Sequence, residues 1–310
     1  MTRNPIGVDL SKDVLDIADP RCGESRIPNT VEAIAGWLAG LGPDDLVVYE
    51  ATSTCDRPLR LALRKARHAG VRVNPLHAWH FSRSLNRAKT DRLDAAMLAR
   101  FGAERRLEPD PDTDPAREEL RGLVQRRDQL KRMATQEKNR LSACTLPLVA
   151  KDIRAELANL ARRVAAIEKA VAAHLERHPG LAAAERLLRS IPGVGAATVM
   201  TLIAHLAELG QVDRRAIASL GGLAPRAHES GRYRGRRFLG EGRRHVRRAL
   251  YMASLSAMRH PGFLADFVAK LKAARKPGKV ILMAVARRLL VIANAILRTG
   301  TPFRPTPLQP

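Results

Sequence analysis

The chain has 310 residues, 45% of them apolar, enough to bury ordinary cores in two domains or one large one, which excludes a disordered chain or a stapled mini-protein. Lysine and arginine number 54 against 31 acids, a formal charge of +23 with a pI near 11.2, so the expected partner is a polyanion, nucleic acid first. Aromatic residues make up only 4%, too few for the stacking platforms that hold splayed single-stranded bases, so contacts to backbones are expected instead.

In chain order, "IGVDLS" and "VLDIAD" predict two strands joined by a turn at Lys12-Asp13. The opening "MTRNPIGVDLS" lacks an apolar signal region, and Cys22, Cys55 and Cys144 are scattered without CxxC spacing. A cytoplasmic protein is expected, without a zinc site and with cysteines that only pack. "VEAIAGWLAGL" predicts a helix, "DLVVYEA" a buried strand, "RPLRLALRKARHAG" a helix ending at Gly70, "VRVNPL" a strand and "DRLDAAMLARFGAERR" a helix. This alternation reads as an α/β domain over 1–109. "EPDPDTDP" concentrates proline and aspartate where periodicity stops, and Asp114-Pro115 makes a good helix start.

A long basic helix follows, and Ile153, Leu157, Leu160, Val164, Ile167 and Val171 form a heptad seam. The span 110–179 is therefore expected as a helical, coiled-coil connector: a hairpin within the chain, a coiled coil between chains, or a helix packed on its own domain. His178-Pro179-Gly180 stops it, and 180–310 is expected as a mainly helical third domain with a loose Pro-rich tail. Within it "VILMAVARRLLVIANAIL" is the most apolar stretch, but Arg287 and Arg288 in its middle make it a buried or amphipathic helix, so no membrane partner is expected.

Chemistry is sought first in acids. Asp9 lies in the first strand, Glu50 near the end of another, and Asp91 and Asp94 are three apart on a predicted helix, so the four carboxylates can converge. Clustered acids stay ionised mainly with cations among them, and all-oxygen donors suit Mg²⁺ or Mn²⁺. Each acid alone also reads as an ordinary turn or solvated helix residue.

"IPGVGAATVMTLIAHL" resembles a helix-hairpin-helix element, with Gly193 and Gly195 freeing amides for a phosphate, though a plain Gly-rich helix connection fits as well. The segment 226–248 packs nine arginines against two glutamates around Ser230-Gly231. A Ser-Gly pair is usually a turn; a serine amid arginines is also what attack on a phosphodiester requires.

Taken together, "GVDLSKDVLDIAD", "NTVEAIAGWLAGL", "VVYEAT", "VRVNPLHAWHFSRS", "AKTDRLDAAMLARF" and "GGLAPRAHESGRYRG...RRALYMASL" resemble, in order, the motifs of the DEDD transposases of bacterial insertion sequences related to the Piv pilin-gene invertases. The likeness runs from about residue 5 to about residue 260. After Glu50 the family more often has a Gly-aromatic pair where this chain has "ATSTCDRP", and Gly242-Arg243 stands where Gly-Asn is usual.

The resemblance implies a RuvC-like, RNase H-type N-terminal domain, an oligomerising helical connector and a C-terminal domain with a catalytic serine. The DEDD acids fall on Asp9, Glu50, Asp91 and Asp94, holding metal, and the serine on Ser230. Nucleic-acid contacts are expected at Lys12, Lys89 and Arg92, at Gly193 and Gly195, and at Arg226, Arg232, Arg234, Arg236, Arg237, Arg243, Arg244 and Arg247. Expected partners are donor and target duplex DNA, a structured noncoding guide (bridge) RNA from the element, and further copies of the chain in a dimer or tetramer. The expected activity is transposition through a phosphoserine-DNA intermediate; the rivals are an RNase H-type junction nuclease that uses only the acids, and a binding protein without catalysis.

Overall fold

In the computed structural model the described residues are 3–50, 55–85, 91–109, 114–226, 229–230, 233–235, 238–240, 242–260 and 262–304, with side chains at 91–93, 226, 229–230 and 233–234 outside the description. The chain divides into two units, Met1–Asp112 and Thr113–Pro310.

The first unit opens with β1 (Asn4–Leu10), β2 (Val14–Asp19) and β3 (Gly23–Pro28), then α1 (Val31–Leu38), β4 (Asp45–Glu50), α2 (Arg57–Ala66), β5 (Gly70–Val73), α3 (Pro75–Ser84) and α4 (Asp91–Arg105). The sheet order is β3-β2-β1-β4-β5, with β2 antiparallel and β4 parallel to β1. Alternation along β1 explains the layers. Ile6, Val8 and Leu10 join Ile34, Leu38, Leu59 and Leu63 of α1 and α2 in one core, while Leu46 and Val48 of β4 join Met97, Leu98 and Phe101 of α4 in another. A mixed sheet with helices on both faces fits an RNase H-like DEDD domain.

Three details depart from the sequence reading. β3 was not expected, since "GESRIP" is almost wholly exposed and has no apolar face to betray it; Arg26 holds it to β2 through a bidentate pair with buried Asp16. α2 ends at Ala66 rather than at Gly70, with Arg67 in the left-handed conformation (φ 52°) as its stop, and Gly70 opens β5. Cys22 is exposed rather than packed.

The second unit begins with α5 (Pro115–Ala143) and α6 (Pro147–Arg177), then α7 (Pro179–Arg189), α8 (Ala196–His205) and α9 (Arg214–Leu220). Asp114 caps α5, accepting from the Ala116 amide at 3.0 Å. α5 and α6 form an antiparallel hairpin: Lys131 pairs with Glu168 at 2.9 Å, and buried His174 bonds the Ala116 carbonyl at 2.7 Å. The heptad seam lies inside it, with Leu160 fully buried and Ile153 and Val171 nearly so. Ala116, Leu120, Val124 and Val171 at its base belong to the same core as the helices that follow, so 110–179 packs with 180–310.

Next come β6 (Pro225–Arg226), β7 (Glu229–Ser230), β8 (Tyr233–Arg234) and β9 (Phe238–Leu239), then α10 (Arg244–Ala257), α11 (Ala265–Ala273) and α12 (Gly278–Thr299). α12 is long and apolar enough to cross a membrane, with mean hydropathy 2.1. Ile281, Val285, Leu289, Leu290 and Ala293 nevertheless sit in the centre of the core, which is the behaviour of a core helix. The tail is docked at its start: Phe303 donates its amide to Ser190 Oγ at 2.7 Å and meets the Phe263 ring edge-on.

Candidate active site and nucleic-acid interface

Gly7 and Asp9 occupy the face of β1 opposite to Ile6, Val8 and Leu10, which is the face covered by α4. A Cβ at Gly7 would stand 1.9 Å from the Ala95 carbonyl oxygen and 2.5 Å from the Ala99 amide, so only glycine lets α4 lie this close. Gly102 meets Pro5 and Val48 in the same way, so α4 runs antiparallel to β1. Two residues on from Gly7 the strand has advanced about 6.6 Å, which matches about four residues of helix. That places Asp9 level with the Asp91–Asp94 turn.

Register supplies the second acid. Val8 pairs with Tyr49, so the next step along the parallel strands sets Asp9 beside Glu50, one strand spacing of about 4.8 Å away. Glu50 alternates with Leu46 and Val48, which face α4, so both carboxylates project to that side. Asp9, Glu50 and Asp94 are each half-exposed, and Asp91 is the first residue of α4, its side chain lying outside the described set. The structure therefore brings Asp9, Glu50 and the turn that carries Asp91 and Asp94 to one end of one sheet face. Among the described residues no group of three or more His, Cys, Asp or Glu is arranged around a metal position.

Sequence reasoning missed Asp16. It pairs directly with Asp9 across β1 and β2, so a third acid stands on the same face, but it is buried and its charge is met by Arg26 at 2.8 and 3.0 Å. The missing signal was the partner strand: without β3 the Asp16–Arg26 pair cannot be read.

In the second unit, Pro225 pairs with Leu239 and Arg226 with Phe238, and beyond them Glu229 pairs with Arg234 and Ser230 with Tyr233. Ser230 is thus the last residue of β7 on a short two-stranded ladder. The separate β6–β9 pair is fixed: Leu239 packs on the core, and Arg247 donates to the Gly240 carbonyl at 2.8 Å and the Gly222 carbonyl at 3.4 Å. Lys89, Arg232, Arg236 and Arg237 lie outside the described residues, and of Arg92, Arg226 and Arg234 only the backbone is described. Lys12 is exposed in the β1–β2 turn, and Arg244 is exposed at the start of α10.

Arg243 is used differently. It grips Glu208 through two bonds, at 2.5 and 2.6 Å, and donates to the His205 carbonyl at 2.8 Å. Burial, the largest single influence, would raise Glu208, but the Arg243 hydrogen bonds, a backbone hydrogen bond and the charges of Arg243 and Arg117 together hold the carboxyl below its ordinary value. Arg117 bonds the Ile203 carbonyl at 2.6 Å, and burial lowers its guanidinium from the ordinary value. Two arginines thereby cap the C-terminal end of α8. His205, stacked on His245 with centroids 5.1 Å apart, is pushed down to about 4 by burial and then by His245 and Arg121, and stays neutral.

Gly193 (φ 82°) lies where a Cβ would come within 2.4 Å of the Ala257 backbone, so it turns the chain tightly against α10. Gly195 caps α8 and is exposed together with Ala196 and Ala197. This is a helix-turn-helix connection that leaves the start of α8 open to solvent.

Residues 6–148 match a family model described as "Transposase", and residues 185–269 one described as "Transposase IS116/IS110/IS902 family". The chain is 30% identical over 321 residues to the pilin gene-inverting protein of Moraxella lacunata, covering 98% of each. It belongs to the IS110-type DEDD transposases. The pilin gene-inverting protein of Moraxella bovis is 27% identical, again over 98% of each chain. An insertion-element IS116 protein of Streptomyces clavuligerus is 31% identical over 127 residues, 39% of this transposase and 31% of that protein. The transposase is a DNA-recombining enzyme.

Proposed function

We propose that this transposase exchanges DNA strands through a covalent phosphoserine-DNA intermediate at Ser230, guided by a structured noncoding RNA of its own element. The observation that carries the reading is the shared face of Asp9, Glu50 and the first turn of α4, a RuvC-like placement of acids. Adjacent ionised carboxylates repel, and Asp9, Glu50 and Asp94 are less buried than Asp16. Oxygen donors alone suit Mg²⁺ or Mn²⁺, and the bound ion would supply charge neutralisation at the reacting phosphate.

Ser230 Oγ attacks a backbone phosphorus. A serine O–P ester forms, the P–O bond to the adjoining sugar breaks, the hydroxyl proton passes to a base, and the departing sugar oxygen ends as a hydroxyl. A sugar hydroxyl of the exchanged strand then displaces the serine and restores its O–H. Because the ester conserves the bond, no nucleotide triphosphate is consumed. The arginines around Ser230 and the exposed start of α8 at Gly193 and Gly195 hold phosphates by charge, without reading sequence. Donor and target DNA are chosen instead by base pairing to the RNA, the division of labour that suits a basic, aromatic-poor chain. Two DNA partners call for a dimer or tetramer, and the setting is the bacterial cytoplasm at the nucleoid.

The test mixes purified protein, Mg²⁺, the candidate element RNA and labelled element-end DNA, resolved on a denaturing gel. DNA bound to protein is expected with the native chain and in neither Ser230→Ala nor Asp9→Asn. Free nicks that persist in Ser230→Ala and vanish in Asp9→Asn would overturn the serine step and leave a junction nuclease that uses only the acids.

A further inference from the structure

The end of α11, the turn after it and the start of α12 carry Lys270, Lys272, Arg275, Lys276 and Lys279, all exposed. Among the described residues none of the five has an ion pair or a side-chain hydrogen bond, in contrast with Arg117, Arg243 and Arg247. The one acid on α11, Asp266, stands at its opposite end. Five like charges in ten residues repel one another, so they persist at a cost that a polyanion would relieve.

Backbone conformation adds an independent sign. The Lys276 amide donates to the Leu271 carbonyl at 3.1 Å and the Arg275 amide to the Lys272 carbonyl at 2.8 Å, the bond pair that ends a helix through a left-handed residue. That residue is Arg275, at φ 51°. Glycine adopts this backbone without steric cost, so the position keeps a cation where local folding prefers none.

Beside the turn lies a groove of about 310 Å³, lined among others by Met258, Leu264 and Val268 and by the polar side chains of Arg259, His260 and Lys272. Arg259 is exposed and has no ion pair among the described residues, so positive charge flanks the groove from α10 as well as α11. Among the described residues no Phe, Tyr or Trp lines it. Nearby, Phe263 packs on Phe303 and Phe267 lies under the Arg288 guanidinium at 4.7 Å, so no stacking platform for unpaired bases is offered.

We infer that the α11–α12 turn and its groove hold the phosphate backbone of duplex DNA, without sequence preference, as a surface separate from the Ser230 ladder. Duplex DNA follows from the recombination reading above, on which this inference rests; paired bases need no stacking, and cations alone suffice for the backbone.

The experiment titrates labelled DNA duplexes of unrelated sequence with full-length protein at several salt concentrations. In the variant Lys270→Gln/Lys272→Gln/Lys276→Gln/Lys279→Gln, affinity is expected to fall by about tenfold or more on every duplex. The slope of log K against log salt is expected to shrink by roughly 3 to 4, at about 0.9 for each phosphate no longer neutralised. Arg275→Gly is expected to weaken binding while the Tm holds or rises, a pairing that a merely structural arginine would not give. Affinity within twofold of the native chain with an unchanged slope would overturn the inference, as would a loss confined to an RNA duplex of equal length. Lysine-dependent DNA binding without any covalent adduct would instead sink the serine reading and leave this surface standing.

Discussion

Asp9 sits on a strand whose other face is packed against two helices, and its neighbours Glu50 and α4 are fixed by strand register and by the close approach at Gly7. Ser230, by contrast, ends a strand of two residues on the β7–β8 ladder, and the core anchor described nearby belongs to the separate β6–β9 pair. One unit therefore places its candidate chemistry by rigid burial, the other by a basic projection. The difference suits the two tasks proposed above, since acids meant to gather charge must be preorganised, whereas the proposed nucleophile and its arginines must receive a long polymer.

The sharpest way to break this contrast is at Gly7. Gly7→Val drives a side chain into the α4 backbone and is expected to destabilise the first unit by about 3 kcal/mol in denaturant titration, with loss of DNA cleavage. A neutral outcome would mean that α4 does not seat on β1 as described. A smaller effect separates arginines of one segment from each other. Arg243→Ala strands Glu208 and is expected to cost about 2 kcal/mol, whereas Arg244→Ala changes stability by less than about 0.5 kcal/mol and weakens DNA binding. Equal effects on stability would erase the distinction between framework and DNA-facing arginines.

A further effect appears only as the pH falls. His205 in the folded chain titrates at about 4, below the ordinary 6.5, so the unfolded chain takes up its proton first as pH falls. Stability should be full above about 6.5 and decline towards 4, by on the order of 2 kcal/mol after screening. His205→Gln should flatten that part of the profile; an unchanged slope in calorimetry would show that His205 is not held neutral.

These contrasts also explain what the sequence disclosed. β1 was legible because one face is apolar and β4 because it is a short apolar run buried on both faces, and from them the closeness of Asp9 and Glu50 could be anticipated. β3 was not, because its six residues are stabilised by β2 and by Asp16–Arg26 rather than by burial. The heptad seam of α6 was visible, but a one-dimensional pattern names a buried stripe and not its partner; Leu160 turned out to face α5. The arginine cluster was the hardest case. Arg243 and Arg244 are adjacent and chemically identical, and only Glu208, 35 residues upstream, makes one of them part of the framework. The glycines near 193 were read for phosphate binding, whereas the nearest demand on Gly193 is the backbone of α10.

The most direct test of the central claim is to isolate the protein-DNA adduct formed with Mg²⁺ and element RNA, digest both polymers, and locate the nucleotide-bearing peptide by mass spectrometry. The account predicts a single modified peptide spanning Glu229 to Arg232, with the phosphodiester on Ser230 and no modified peptide from Asp9→Asn protein. A nucleotide attached to any other side chain, or cleaved DNA with no modified peptide at all, would contradict it.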